Sequence, residues 1–258
     1  VIDALSLTGV AGLTTVTDAT TTSTRALTIN YGAGTVGGVT DAGADTVTIN
    51  MTGAGTNIGT TTVAQATTVD LNAEFAITTG TIAATSATAV NISGDSVAAV
   101  DLSTAATGAV TITGSAGFTD TTTGTAASYT NSGTGAMTLG ATTATAGVGT
   151  AAAVTGGTGI DTVSFGAQTA ASSLGDGNDI AYFTGSAMGA GGSVDLGADT
   201  TGDTIGLTHA NAVAASATEA FETAVTNFEK VTIAASAGTG TINMANLASV
   251  PTIEFSGA

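Results

Sequence analysis

The chain has 258 residues, 37 of them Gly, with one Pro and no Cys or Trp. Two basic residues stand against 19 acidic ones, a formal net charge of −17. This excludes a basic surface for nucleic acid or anionic lipid, and also disulfides, thiolate metal ligands and Cys nucleophiles. No apolar run approaches the ~18 residues of a membrane-spanning helix. His209 is the only His, so a multi-His zinc site is out of reach and any Ser-His-Asp triad would have to use it.

Abundant Gly, Ser and Thr together with high net charge lean toward disorder. The placement of the large apolar residues argues against it. They recur in pairs separated by one polar residue: Leu27/Ile29, Val47/Ile49, Val69/Leu71, Val90/Ile92, Val100/Leu102 and Val110/Ile112. Later pairs are Met137/Leu139, Val163/Phe165, Val194/Leu196, Ile205/Leu207, Val231/Ile233, Ile242/Met244 and Ile253/Phe255. Two-residue alternation puts both members on one face of a strand, with Thr and Asp facing water. The pairs recur about every 20 residues, and in places every 10. Such coils of two strands bury their apolar face only by stacking on one another. The rhythm predicts an all-β chain, a β-solenoid or parallel β-roll. Tandem β-sandwich domains have a similar strand spacing, but the scarcity of aromatics and Pro counts against them. Ser216-Ala-Thr-Glu219 has the form of a capping box and leads into Phe221, Ala224, Val225 and Phe228, which predicts one short helix near 217–226.

Chemistry gathers between residues 155 and 206. Residues 156–164 fit the nonapeptide Gly-Gly-x-Gly-x-Asp-x-apolar-x, with Gly157, Gly159 and Asp161 at its key places. Residues 174–182 keep Gly175, Gly177 and Asp179, with Asp176 beside them. Asp161 and Asp179 are two nonapeptides apart, so the two turns should lie over one another in adjacent coils. A hard divalent cation needs six to eight oxygens from carboxylates and carbonyls, and Gly lets a turn aim its carbonyls inward. Ca2+ held between the turns is the reading these residues carry. Asp199 and Asp203 form a further candidate, and Asp41 and Asp45 a weaker echo. The plain alternative for all of them is that Gly-Asp clusters make turns, and Gly94-Asp95 is read that way. Residues 165–173 lack the pattern, so no ion is expected on the opposite side there. The expected organisation is a Thr/Ala/Gly-rich solenoid over 1–150, a calcium-binding roll over 151–208, and a short helix with closing coils over 209–258.

The Gly-Gly-x-Gly-x-Asp turns resemble those of RTX (repeats-in-toxin) proteins, which bacteria export by type I secretion. The Thr-, Ala- and Gly-rich coils around them resemble the calcium-dependent surface-layer (S-layer) proteins of that class, most closely from Val154 to Ile233. Residues 1–150 are similar in composition and strand rhythm only. The resemblance implies a secreted, extracellular, cell-surface structural protein. Its partner would be itself, in a homo-oligomeric lattice or filament, with cell-surface polysaccharide reached through regions outside this sequence. A secreted RTX-type adhesin or matrix protein with a solenoid stalk is the alternative. The sequence shows no initiator Met, signal peptide, anchoring region or C-terminal secretion segment, and is expected to be an ordered piece of a longer polypeptide. Enzyme activity is not expected. Lys230 reads as a local ion pair with Glu229, and His209 as a hydrogen-bonded strand-end residue.

Overall fold

In a computed structural model, the described residues are 3–7, 16–18, 25–54, 56–105, 107–140, 142–198, 202–234, 239–247 and 252–256. The chain is an all-β solenoid of parallel strands and divides into two compact units, Val1–Gly135 and Ala136–Ala258. In the first unit, one sheet runs in sequence through Ala4–Leu7, Arg25–Tyr31, Ala44–Met51, Thr68–Asn72, Ala89–Ser93, Ala109–Ile112 and Ser128–Asn131. The second sheet takes the strands between them, from Val16–Asp18 to Phe118–Asp120. The second unit repeats the plan. One sheet holds Ala153–Thr155, Ala171–Ser173, Ser193–Asp195 and Val225–Thr226, and the other runs from Met137–Leu139 to Thr252–Ser256.

Each coil therefore gives one strand to each sheet, and like positions pair. Leu27 lies beside Val47 and Val47 beside Val69; Ile29, Ile49 and Leu71 make the adjoining column. Of the apolar pairs above, those from Leu27/Ile29 to Val231/Ile233 are buried, most of them fully. Burying each such side chain contributes about 1.5–3 kcal/mol. Tyr31 and Tyr129 fill wide places in the first unit, and the hydroxyl of Tyr31 bonds Thr61 Oγ1 at 2.7 Å. Phe165 and Phe183 stack from adjacent coils of the second unit, with Phe221 edge-on to Phe183 at 5.1 Å.

Four local expectations are corrected. Ile242/Met244 is not a strand pair: a 3-10 turn, Met244–Asn246, occupies the place, and Leu247 is the residue it buries. Ile253/Phe255 does lie on a strand, Thr252–Ser256, but Phe255 is 63% exposed because no further coil covers it among the described residues. The short helix expected near 217–226 forms as α2 (Ala220–Ala224), but a further helix, α1 (His209–Ala215), precedes it. The capping box does not form. Ser216 ends α1, its hydroxyl donating to the Val213 carbonyl and accepting from Asn243 N–H, so it is not available to cap α2. His209 opens α1 behind the cap Thr208 rather than ending a strand.

Stacking fixes where Gly must sit. Gly197 has φ +124°, and a Cβ there would overlap the carbonyl oxygen of Gly175 in the coil beneath. Gly197→Ala is expected to lower the unfolding free energy by about 2–4 kcal/mol through strain and overlap. Gly185→Ala, with no atom within 4 Å of the added carbon, should stay within about 0.5 kcal/mol. Urea denaturation of the two variants checks this, and equal losses would contradict the stacking argument.

Asp120 is fully buried in the first unit, its carboxylate accepting from Thr122 N–H at 2.9 Å, from the Thr122 hydroxyl at 2.7 Å and from Leu102 N–H at 3.2 Å. Burial raises its pKa above the ordinary 3.8, and the hydrogen bonds only partly oppose the rise. Burial likewise raises nearby Tyr129, helped by the charge of Asp120. The folded state therefore holds the Asp120 proton more tightly than the unfolded chain does. Its contribution to stability is present at acid pH and is lost as pH climbs from 3.8 through the higher folded value. The parent minus Asp120→Asn difference in unfolding free energy should accordingly fall as pH rises above 3.8. Urea titrations at increasing pH test it, and a difference independent of pH would refute it.

Candidate metal centre

The candidate turns are brought together as their spacing requires. Strand Thr162–Phe165 pairs with Ile180–Phe183, Thr162 beside Ile180, which places residues 156–161 and 174–179 on adjacent coils. Asp176 N–H donates to the Gly157 carbonyl at 2.9 Å. A Cβ on Gly175 would overlap the Gly157 carbonyl, and one on Gly177 would crowd the Gly159 carbonyl. Both turns are thus tight enough to demand Gly, and both stack carbonyl over backbone.

Asp161, Asp179 and Asp203 are fully buried at successive rungs. Asp161 Oδ1 accepts from Met137 N–H at 2.6 Å, and its Oδ2 from Gly157 N–H at 3.1 Å, closing its own turn. Asp179 Oδ1 accepts from Asp161 N–H at 2.7 Å, and Asp203 Oδ1 from Asp179 N–H at 2.7 Å. The part-buried Glu229 ends the series, its Oε2 accepting from Asp203 N–H at 2.9 Å and Gly202 N–H at 3.3 Å. Asp179, Asp203 and Glu229 each reach one coil back and cap the backbone of the acid before them, while Asp161 caps Met137. The result is an internal column of three carboxylates, Asp161, Asp179 and Asp203, closed at one end by the half-buried Glu229.

Not every candidate joins the column. Asp176 is exposed at the tip of its turn. Asp199 lies outside the described residues. Asp41 bonds Gly43 and Ala44 N–H and forms a buried ion pair with Arg25, which accounts for that carboxylate without a metal. Asp45 accepts from the Thr67 hydroxyl at 2.9 Å. Lys230 pairs across strands with Glu254 rather than with Glu229, whose carboxylate is committed to residues 202–203. Sequence reasoning missed Glu229 as the column's last member. Its signal was present: it stands directly before a strand, as Asp161, Asp179 and Asp203 do.

The donor set suits Ca2+ in kind, since hard oxygens alone are offered and carboxylates retain further lone pairs beyond those used by N–H groups. Among the described residues, no three acidic or His side chains converge closely enough to hold an ion by themselves. An ion here would therefore rely on Asp161 and Asp179 together with carbonyls of the Gly turns. No helix among the described residues is long and apolar enough to cross a membrane.

The capping role can be separated from any ion by working in chelator. Asp179→Ala removes the acceptor of a buried N–H and should cost about 1–3 kcal/mol. Asp179→Asn keeps an acceptor oxygen and should cost less. Denaturation of both variants in chelator is the measurement, and equal costs would show that the Asp161 N–H bond contributes nothing.

In comparisons with known proteins, no family model, no curated protein and no solved structure matches the chain.

Proposed function

We propose that this chain is a structural, non-enzymatic part of an extracellular bacterial layer or filament that self-assembles and is stabilised by Ca2+. The observation that carries the reading is the stacking of the Gly-Asp turns at 156–161 and 174–179 above an internal column of carboxylates. Both basic side chains of the protein are engaged elsewhere, Arg25 with Asp41 and Lys230 with Glu254. Backbone N–H groups offset part of the column's charge, and a divalent cation from the medium offsets more. Export fits this requirement, because affinities of about 10⁻⁴–10⁻³ M are typical of extracellular calcium modules. It also agrees with the resemblance of these turns to RTX proteins of type I secretion.

A net charge of −17 keeps copies apart over about a Debye length, ~8–10 Å at physiological salt. Divalent ions between acidic faces remove that barrier, whereas monovalent salt only screens it.

Two measurements test the reading. Chelator should lower the melting temperature, since an ion at a hundredfold its dissociation constant stabilises by about 2.7 kcal/mol. Asp179→Ala should abolish most of that response. At fixed ionic strength, light scattering and negative-stain imaging should show assemblies that form as calcium is raised to millimolar levels. Melting that ignores chelator removes the calcium reading. A chain that stays monomeric removes the lattice and leaves the stalk of a secreted adhesin as the better reading.

A further inference from the structure

On the outer face of the first unit, Asn30, Asn50 and Asn72 occupy three consecutive rungs in register. Asn50 Nδ2 donates to Asn30 Oδ1 at 2.9 Å, and Asn30 Nδ2 reaches Ser6 Oγ at 3.4 Å. The amide series runs in one direction and stops at Asn72, whose side chain has no hydrogen bond among the described residues. Beside it the chain leaves the strands, and Thr52, Glu74 and Phe75 join the three Asn residues around an open groove of about 480 Å³. Phe75 is 42% exposed, although it is large and apolar.

We propose that this groove binds a neutral saccharide. Successive rungs are about 4.8 Å apart, so the amides present donors and acceptors at a regular spacing along the groove. Hydroxyls on a sugar ring and on the next ring can each meet one amide, replacing bound water one hydrogen bond for another. The open face of Phe75 offers an apolar, sequence-tolerant platform for the C–H face of a pyranose. Glu74 accepts from hydroxyls and repels acidic ligands. No Lys or Arg lines the groove, so phosphate esters and nucleic acids find no counter-charge. A wholly apolar ligand would leave the amides without partners, which is costly. The volume lies within the ~300–1,000 Å³ usual for small-molecule sites. The groove is independent of the carboxylate column, and its test does not depend on assembly.

The test is isothermal titration of the full chain, at constant calcium, with neutral hexasaccharides of glucose, mannose, galactose, xylose and N-acetylglucosamine. Hexagalacturonate serves as the acidic control. At least one neutral sugar should bind with a dissociation constant of about 1 mM or tighter, equivalent to about −4 kcal/mol. Phe75→Ala should weaken that binding by about tenfold, or 1.4 kcal/mol. Asn72→Ala should weaken it by about threefold, and both variants should keep the parent's melting temperature because both side chains face water. Hexagalacturonate should bind more weakly than the neutral sugar, and Glu74→Gln should narrow that gap. Failure of all five neutral sugars to bind below about 10 mM would overturn the proposal. So would binding that survives Phe75→Ala and Asn72→Ala unchanged, since the sugar would then sit elsewhere.

Discussion

The structure depends on one constraint: each coil is hydrogen-bonded in parallel register to the next, so every side chain lies over its own counterpart about 4.8 Å away. For apolar residues this is favourable. Val47 over Val69 and Ile49 over Leu71 make a continuous column from coils that could not fold alone. For backbone corners it is demanding, because two turns can approach this closely only where side chains are missing. Gly156, Gly175 and Gly197 meet that demand in the second unit, and Gly94 and Gly133 in the first. For charges it is unfavourable, since like sits on like.

The acidic residues show two ways of living with that repulsion. On the outside, four carboxylates take a neutral donor from the following coil instead of another acid. Asp45 is bonded by Thr67, Asp70 by Asn91, Asp95 by Ser115 and Asp101 by Thr121. Water screens what is left. Inside the second unit no such alternation is used. Asp161, Asp179 and Asp203 follow one another; Asp179 and Asp203 are each held by the main-chain N–H of the Asp before, and Asp161 by those of Met137 and Gly157. Buried carboxylates in series cost far more than exposed ones. The main-chain N–H groups from which each carboxylate accepts offset part of that cost, and the cation proposed above would offset more.

Much of this was legible because solenoid sequence is nearly a direct record of solenoid structure. The apolar pairs from Leu27/Ile29 to Val231/Ile233 name the core, since alternation and stacking leave no other place for them. The 18-residue step from Asp161 to Asp179 likewise gives the rung spacing outright. What was not legible depended on interactions between coils rather than within one. Arg25 finds Asp41, and Lys230 finds Glu254 rather than Glu229, because the next strand, not the next residue, is the near neighbour. Ser216 looked like a cap for the helix after it, but a contact to Asn243 and the end of α1 claimed its hydroxyl first. The Asn series was visible as Leu-Thr-Ile-Asn30, Val-Thr-Ile-Asn50 and Val-Asp-Leu-Asn72. Read strand by strand, however, each Asn is only a polar residue at a strand end.

The two features argued to have functions follow from this same repetition. Stacking a polar residue over itself multiplies whatever it offers: three amides become a ladder suited to a repeating ligand, and three carboxylates become a column suited to cations. The column differs from the ladder in one respect that matters for assembly. An amide series is neutral, so it tolerates any medium. On the calcium reading, a carboxylate series is stable only where cations are supplied, and the coils that carry it stack firmly only there. On that reading, placing such a series inside the second unit would make part of the fold answer to the composition of the surroundings. A chain with no Cys to lock its coils together would then take its final rigidity from the medium it enters.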